Sequence, residues 1–140
     1  MDRIRHVHQR TVSSCGLACI AMLMGRPVGR VRRVLKSRLA EYDGDCTDVA
    51  DLRFALRRLG ARLGRKVRSS SWKRLAQRHT RALAAVSYRE HKDGTARWHW
   101  VVFDGTWLEP AVWDPRRRKG PRTDLGALPL AWYHPVTVGR

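Results

Sequence analysis

Cysteine is scarce in this chain. There are three in 140 residues, and an odd number excludes a complete intramolecular disulfide framework. A reducing, cytoplasmic setting therefore fits, and a free thiol stays reactive there. Long apolar runs are missing too. No window approaches the ~20 residues of a membrane span, and Met1-Asp2-Arg3-Ile4-Arg5-His6 lacks the apolar stretch of a signal peptide. Zinc-site spacing is absent: Cys15 and Cys19 are separated by three residues with Cys46 alone and distant, so a metal site completed by a histidine is disfavoured and no cofactor is expected. Repeats, linkers and low-complexity segments are also lacking. The chain is long enough to bury about two-thirds of its unfolded surface without staples, as one domain over residues 1–140.

Negative charge is the other shortage. Twelve Asp and Glu stand against 29 Lys and Arg, for a net charge of +17, and Arg outnumbers Lys by 24 to 5. Such a balance suits an acidic partner: nucleic acid, an anionic membrane surface or an acidic peptide. Arg-rich coding and a solvated surface account for it equally well, because the basic residues are spread along several elements. The densest run, Arg116-Arg117-Arg118-Lys119, sits in a loop beside Pro115 and Gly120-Pro121.

What is present is a change of hydrophobic period partway along the chain. Ser13 and Ser14 are N-cap residues for an apolar helix from Gly16 to Met24, ended by Gly25 and Pro27. Being apolar almost all round, it is the expected central buried helix. A second helix is predicted from Val28 to Leu39, with Val31, Val34, Leu35 and Leu39 on one stripe. Thr47 is the expected N-cap of a third, Asp48 to Leu59, closed by Gly60. A short strand near Ala61–Val67 and a brief helix at Ser71–Leu75 follow. From residue 82 the pattern becomes strand-like: Ala82–Tyr88, Trp98–Phe103, Leu108–Trp113 and Leu130–Val138. Helices first and strands second predict an α+β fold with an antiparallel sheet packed against the helices.

Four residues stand out chemically. Cys15 falls at or next to the first residue of its helix, where unpaired N–H groups and the positive dipole end favour a thiolate. Gly16 leaves room for a substrate backbone beside the sulfur. Cys19 lies one turn deeper among Leu, Ile and Met and reads as a core thiol. His99 opens the strongest strand, with Val101 and Phe103 on its own face and Trp98, Trp100 and Val102 on the other. A strand is a rigid mount for a general base, although a lone strand histidine is more often structural. His6, His8, His79, His91 and His134 compete with it: the first two near a mobile end, His91 in a hairpin turn, His134 before Pro135. Asp114, fifteen residues after His99, can orient the imidazole and stabilise its charged form, or simply belong to an Asp-Pro turn. Gln9, six residues ahead of Cys15, can offer its amide to an oxyanion alongside the Cys15 backbone N–H, or be a solvent-exposed glutamine.

Taken together, these residues resemble the bacteriocin-processing, double-glycine leader peptidases, which are papain-like cysteine proteases. Members carry a Gln, a short spacer and a Cys-Gly-x-Ala-x-(apolar)-x-Met stretch. Here Gln9 is followed by Cys15-Gly16-Leu17-Ala18-Cys19-Ile20-Ala21-Met22. The family's His before an apolar strand is matched by His99-Trp100-Val101-Val102-Phe103 and its Asp-Pro by Asp114-Pro115, so that the resemblance covers roughly residues 4 to 116. It implies a papain-like fold, Cys15 as nucleophile, His99 as base, Asp114 as its orienting carboxylate and Gln9 in the oxyanion hole. It also implies cleavage after Gly-Gly or Gly-Ala in a leader peptide whose remainder binds as an amphipathic helix on an apolar groove. An acidic leader would suit the basic face. The best-known members continue into membrane and ATPase segments; this chain ends at Arg140, so either a free-standing domain, with any transporter on a separate chain, or an excised domain is expected, the first being favoured. A papain-like toxin or effector, deamidase or acyl transferase would use the same thioester chemistry. A basic nucleic-acid-binding module is the reading from another class, and the chain lacks the aromatic-glycine strands of common RNA modules.

Overall fold

The computed structural model describes residues 3–10, 14–36, 48–107 and 109–138. Helix α1 (Cys15–Met24) is buried from Gly16 to Leu23 and ends on Gly25 in the left-handed conformation, as its apolar composition and C′ glycine require. Ser14 is its N-cap residue but makes no side-chain capping bond, because its φ of −94° and ψ of 16° turn it out of the extended geometry that capping needs. Ser13 lies outside the described residues. Helix α2 (Val28–Val34) stops short of the expected Leu39: Leu35 caps it, buried, and residues 37–40 lie outside the described residues. Helix α3 (Val49–Arg58) starts on Asp48 rather than Thr47, which also lies outside them. Asp48 is extended and Asp51 stands three residues on, so each carboxylate accepts the other's backbone N–H, at 2.8 and 3.1 Å.

The expected strand at Ala61–Val67 is two short ones, β1 (Ala61–Leu63) and β2 (Val67–Arg68), both antiparallel to the last strand. They part at Gly64, whose N–H donates to the Pro135 carbonyl at 2.7 Å. A Cβ there would lie 3.0 Å from that carbonyl oxygen, so the approach depends on glycine. After helix α4 (Trp72–Ala76) come β3 (Arg81–Glu90), β4 (Ala96–Asp104), β5 (Ala111–Trp113), a 3₁₀ turn at Leu125–Ala127 and β6 (Leu130–Val138). Strand β5 begins after Pro110, later than expected; Leu108 lies outside the described residues. The sheet order is β1-β6-β3-β4-β5 with β2 also on β6, and every pairing is antiparallel.

Alternation along the strands sends side chains to two cores. Trp100, Val102, Leu83, Ala85 and Trp132 pack with α1, α2 and α3. Val101, Phe103, Ala84, Val86 and Tyr133 pack on the other face with Leu75 and Trp72, whose indole stacks on Phe103 at 5.8 Å. Two departures from regular pairing place the site. Strand β3 carries a bulge between Val86 and Arg89, with Ser87 at a φ of +56°, and Val86 is the partner of His99. Strand β5 pairs only with Val102–Asp104. The edge of β4 before Val102 is therefore not covered by β5, and the start of α1 comes to lie there.

Candidate active site

Cys15 is the first residue of α1 and is partly exposed; His99 and Asp114 are buried. His99 is carried by β4, and Asp114 directly follows β5, the strand paired to it. This pairing closes the fifteen-residue separation to a hydrogen bond from His99 Nε2 to Asp114 Oδ1 of 2.6 Å. The carboxylate is itself held: the Arg116 N–H donates to Oδ1 at 2.9 Å, and Arg122 Nη1 lies 3.9 Å from Oδ2. With Nε2 committed to Asp114, Nδ1 is the ring nitrogen left for the sulfur. It is buried and closes no hydrogen bond among the described residues, yet thiol and ring are near enough to shift each other's protonation. Hydrogen bonds in acid–base sites are often this loose until substrate tightens them.

Burial pushes the Cys15 thiol up, but the His99 side chain, the Trp100 backbone N–H, the His99 charge and the Gly16 N–H together outweigh it, and the thiol ionises below its ordinary value. For His99, burial works against the charged ring; the bond to Asp114 and the neighbouring sulfur overcome it and raise the imidazole above its ordinary value. Burial likewise raises Asp114, and the His99 bond and Arg116 N–H bring it below the usual carboxylate range. All three shifts favour a thiolate–imidazolium pair backed by a carboxylate.

The structure thus brings Cys15, His99 and Asp114 together. Gln9 is buried, and its backbone N–H donates to the Pro115 carbonyl at 2.8 Å, which fixes it beside the Asp114 turn. Sequence patterns did not reveal the Trp100 N–H, which lies on the uncovered edge of β4 and is turned onto the sulfur; only the short length of β5 hints at it. They also missed the Arg116 N–H, although an Asp-Pro-x turn invites such a bond. His6, expected near a mobile end, is engaged: Nε2 lies 2.6 Å from the Arg117 carbonyl and the ring sits 6.0 Å from Trp113. His91 is in the β3–β4 turn, and His134 bonds Gly64. Cys19 is fully buried, and burial together with the charges of Cys15 and Asp114 pushes its thiol well up. Iodoacetamide at neutral pH should accordingly label Cys15 and leave Cys19 unlabelled until the chain unfolds. Peptide mapping by mass spectrometry reads this, and equal labelling rates would overturn the contrast. Among the described residues no group of three or more His, Cys, Asp and Glu side chains is placed to hold a metal ion, and no helix is long and apolar enough to cross a membrane.

No protein-family model matches the chain, and no curated protein does. Solved structures do. A double glycine motif protease from an AMS/PCAT transporter, crystallised in complex with the leader peptide, superposes with a TM-score of 0.57 at 15% identity, covering 95% of this chain and 92% of that one. The peptidase domain of Streptococcus ComA, a bi-functional ABC transporter involved in a quorum sensing pathway, gives 0.63 at 12% identity over 99% and 100%. At these identities the likeness speaks for the fold alone: this chain has the α+β, papain-like fold of the double-glycine peptidase domains.

Proposed function

We propose that residues 1–140 form one cysteine peptidase domain that cuts a peptide after a Gly-Gly or Gly-Ala pair. The observation that carries this reading is the convergence of Cys15 and Asp114 on one buried imidazole, Asp114 bonded to its Nε2, with every protonation shift in the direction such chemistry needs. In the proposed reaction the Cys15 thiolate attacks the scissile carbonyl. The Cys15 backbone N–H at the helix start and the Gln9 side-chain amide stabilise the oxyanion. The His99 imidazolium then gives its Nδ1 proton to the departing amine, and a thioester to Cys15 remains. Water, deprotonated by the now neutral imidazole, attacks the thioester and releases the carboxylic acid and the thiol. Asp114 keeps the proton on Nε2, so that Nδ1 faces the sulfur throughout. A reducing cytoplasmic setting keeps the thiol free for this cycle.

The test is incubation with a synthetic leader-type peptide containing Gly-Gly, followed by mass spectrometry. One cut after the second glycine is expected, and replacing both glycines by leucine should abolish it. An uncut peptide, or a cut indifferent to the glycines, would overturn the reading.

A further inference from the structure

The segment ahead of α1 is fastened to the Asp114 turn. Ile4 is buried in the core that the helices share with Trp113, and Val7 packs against the same core. Arg3 places its guanidinium 5.4 Å from the centre of the exposed Trp107 ring. From these anchors residues 6–9 hold three residues around Asp114. The His6 ring sits 6.0 Å from that of Trp113, the residue before Asp114. The Gln9 N–H donates to the Pro115 carbonyl at 2.8 Å, and the His6 Nε2–H donates to the Arg117 carbonyl at 2.6 Å.

These ties reach the carboxylate through the backbone of the turn. The Pro115 carbonyl and the Arg116 N–H belong to one trans peptide plane and point opposite ways. Holding the carbonyl from Gln9 therefore aims the N–H at Asp114 Oδ1, to which it donates at 2.9 Å. A bond at one end of a peptide group also polarises and strengthens the bond at the other. The Arg117 N–H closes the turn on the Asp114 carbonyl at 3.0 Å, and the Arg117 carbonyl leaves it on His6. Arg122 Nη1, 3.9 Å from Oδ2, is too far to fix the carboxylate alone. An aspartate has one methylene between backbone and carboxylate, so a displaced turn loosens the 2.6 Å bond to His99.

We infer that residues 4–9 are a strap that sets the position of Asp114, with His6 as the positioning residue that fastens it to the Arg117 carbonyl. The inference rests on the peptidase reading and adds to it a residue that acts through the turn rather than on the reacting atoms. Because Gln9 belongs to the same segment, the strap also ties the proposed oxyanion donor to the proposed triad carboxylate. The two then keep one geometry relative to each other.

Two readouts separate this inference from the peptidase reading. The first is iodoacetamide labelling of Cys15 against pH, which needs no substrate. His6→Phe keeps a ring against Trp113 and removes the donor. His6→Gln keeps an N–H donor at about the reach of Nε2, and His6→Ala removes both ring and donor. In His6→Phe and His6→Ala the Asp114 bond loosens and the imidazole holds its charge less well. The labelling midpoint of Cys15 is therefore expected to rise by at least about 0.5 pH unit. His6→Gln, and His8→Ala at an exposed position of the same segment, should leave it within about 0.2. The other groups around this midpoint, His99, Asp114, Arg116, Arg122 and Cys19, are the same in every variant. The second readout is cleavage of the Gly-Gly peptide. A fall in kcat of about tenfold is expected in His6→Phe with KM within about twofold, and of at most about threefold in His6→Gln. A purely structural role would lower the unfolding temperature and leave the midpoint in place. An unmoved midpoint in His6→Phe and His6→Ala, or an equal shift in His6→Gln or His8→Ala, would overturn the inference. If the parent chain leaves the peptide uncut, the peptidase reading falls and the labelling midpoints still decide whether His6 positions Asp114.

Discussion

Cys15→Ala is expected to lower cleavage of a double-glycine peptide by at least about 10⁴-fold, because it removes the sulfur proposed to form the thioester. Its structural cost should be small. Cys15 is partly exposed at the helix start, and the residues around it that build the core, Leu17, Cys19 and Ile20, are untouched. Thermal unfolding should therefore be close to that of the parent chain, and the two measurements together separate loss of chemistry from loss of fold. Cys19→Ala is the internal control. It leaves every atom of the Cys15–His99–Asp114 set in place and should retain cleavage, while losing stability through the small cavity left in a fully buried position. If Cys15→Ala cuts the peptide at the parent rate, Cys15 is not the nucleophile.

The helices and the sheet differ in how much of them can be read from the amino-acid sequence. The apolar run from Gly16 to Leu23 and the glycine after Met24 specify α1 almost completely, since burial and the left-handed cap are both local consequences of residue type. The alternation at Trp98–Phe103 likewise predicts which residues share a face, and the two cores divide as that alternation requires. Capping was less legible. Asp48 and Asp51 close α3 through a reciprocal pair of bonds that depends on the backbone turning extended at Asp48. The break between β1 and β2 comes from Gly64 meeting Pro135, a contact between residues far apart in the chain.

The candidate site shows the same division. Cys15 at a helix start, His99 at a strand start and Asp114 after the next strand are visible as residue types in order. Their convergence is not, because it depends on β5 being short enough to leave the β4 edge open and on the pairing that sets Asp114 beside His99. The Trp100 N–H lies beyond any pattern of side chains, since a backbone donor carries no sequence signal. Arg65, Lys66 and Arg68 stand close together in the chain, but that Arg53 of α3 joins them around one groove depends on how the elements pack and not on their spacing.

The second large effect concerns Asp114, where the geometry separates charge from orientation. Asp114 Oδ1 accepts both the His99 Nε2–H and the Arg116 N–H. An amide oxygen can take the same two bonds, so Asp114→Asn preserves the ring's tautomer and removes only the negative charge. Asp114→Ala removes both. Cleavage should fall about tenfold in Asp114→Asn and about 10³-fold in Asp114→Ala. The pH profile carries the sign. The Asp114 bond and charge are among the causes that raise His99 above its ordinary value, so both variants lower the imidazole and bring the alkaline fall in activity to lower pH. The Cys15 thiol, stabilised as thiolate by the His99 charge, should then titrate higher, and iodoacetamide labelling against pH reads that shift directly. Stability responds in the opposite direction to acid. The Asp114 carboxyl is depressed in the folded chain, so its contribution is present above the ordinary carboxylate range and is lost as pH falls through the folded value. Asp114→Asn should therefore flatten the acid limb of the unfolding curve. If the two variants are equally impaired and leave the alkaline limb unmoved, Asp114 does not act through the imidazole.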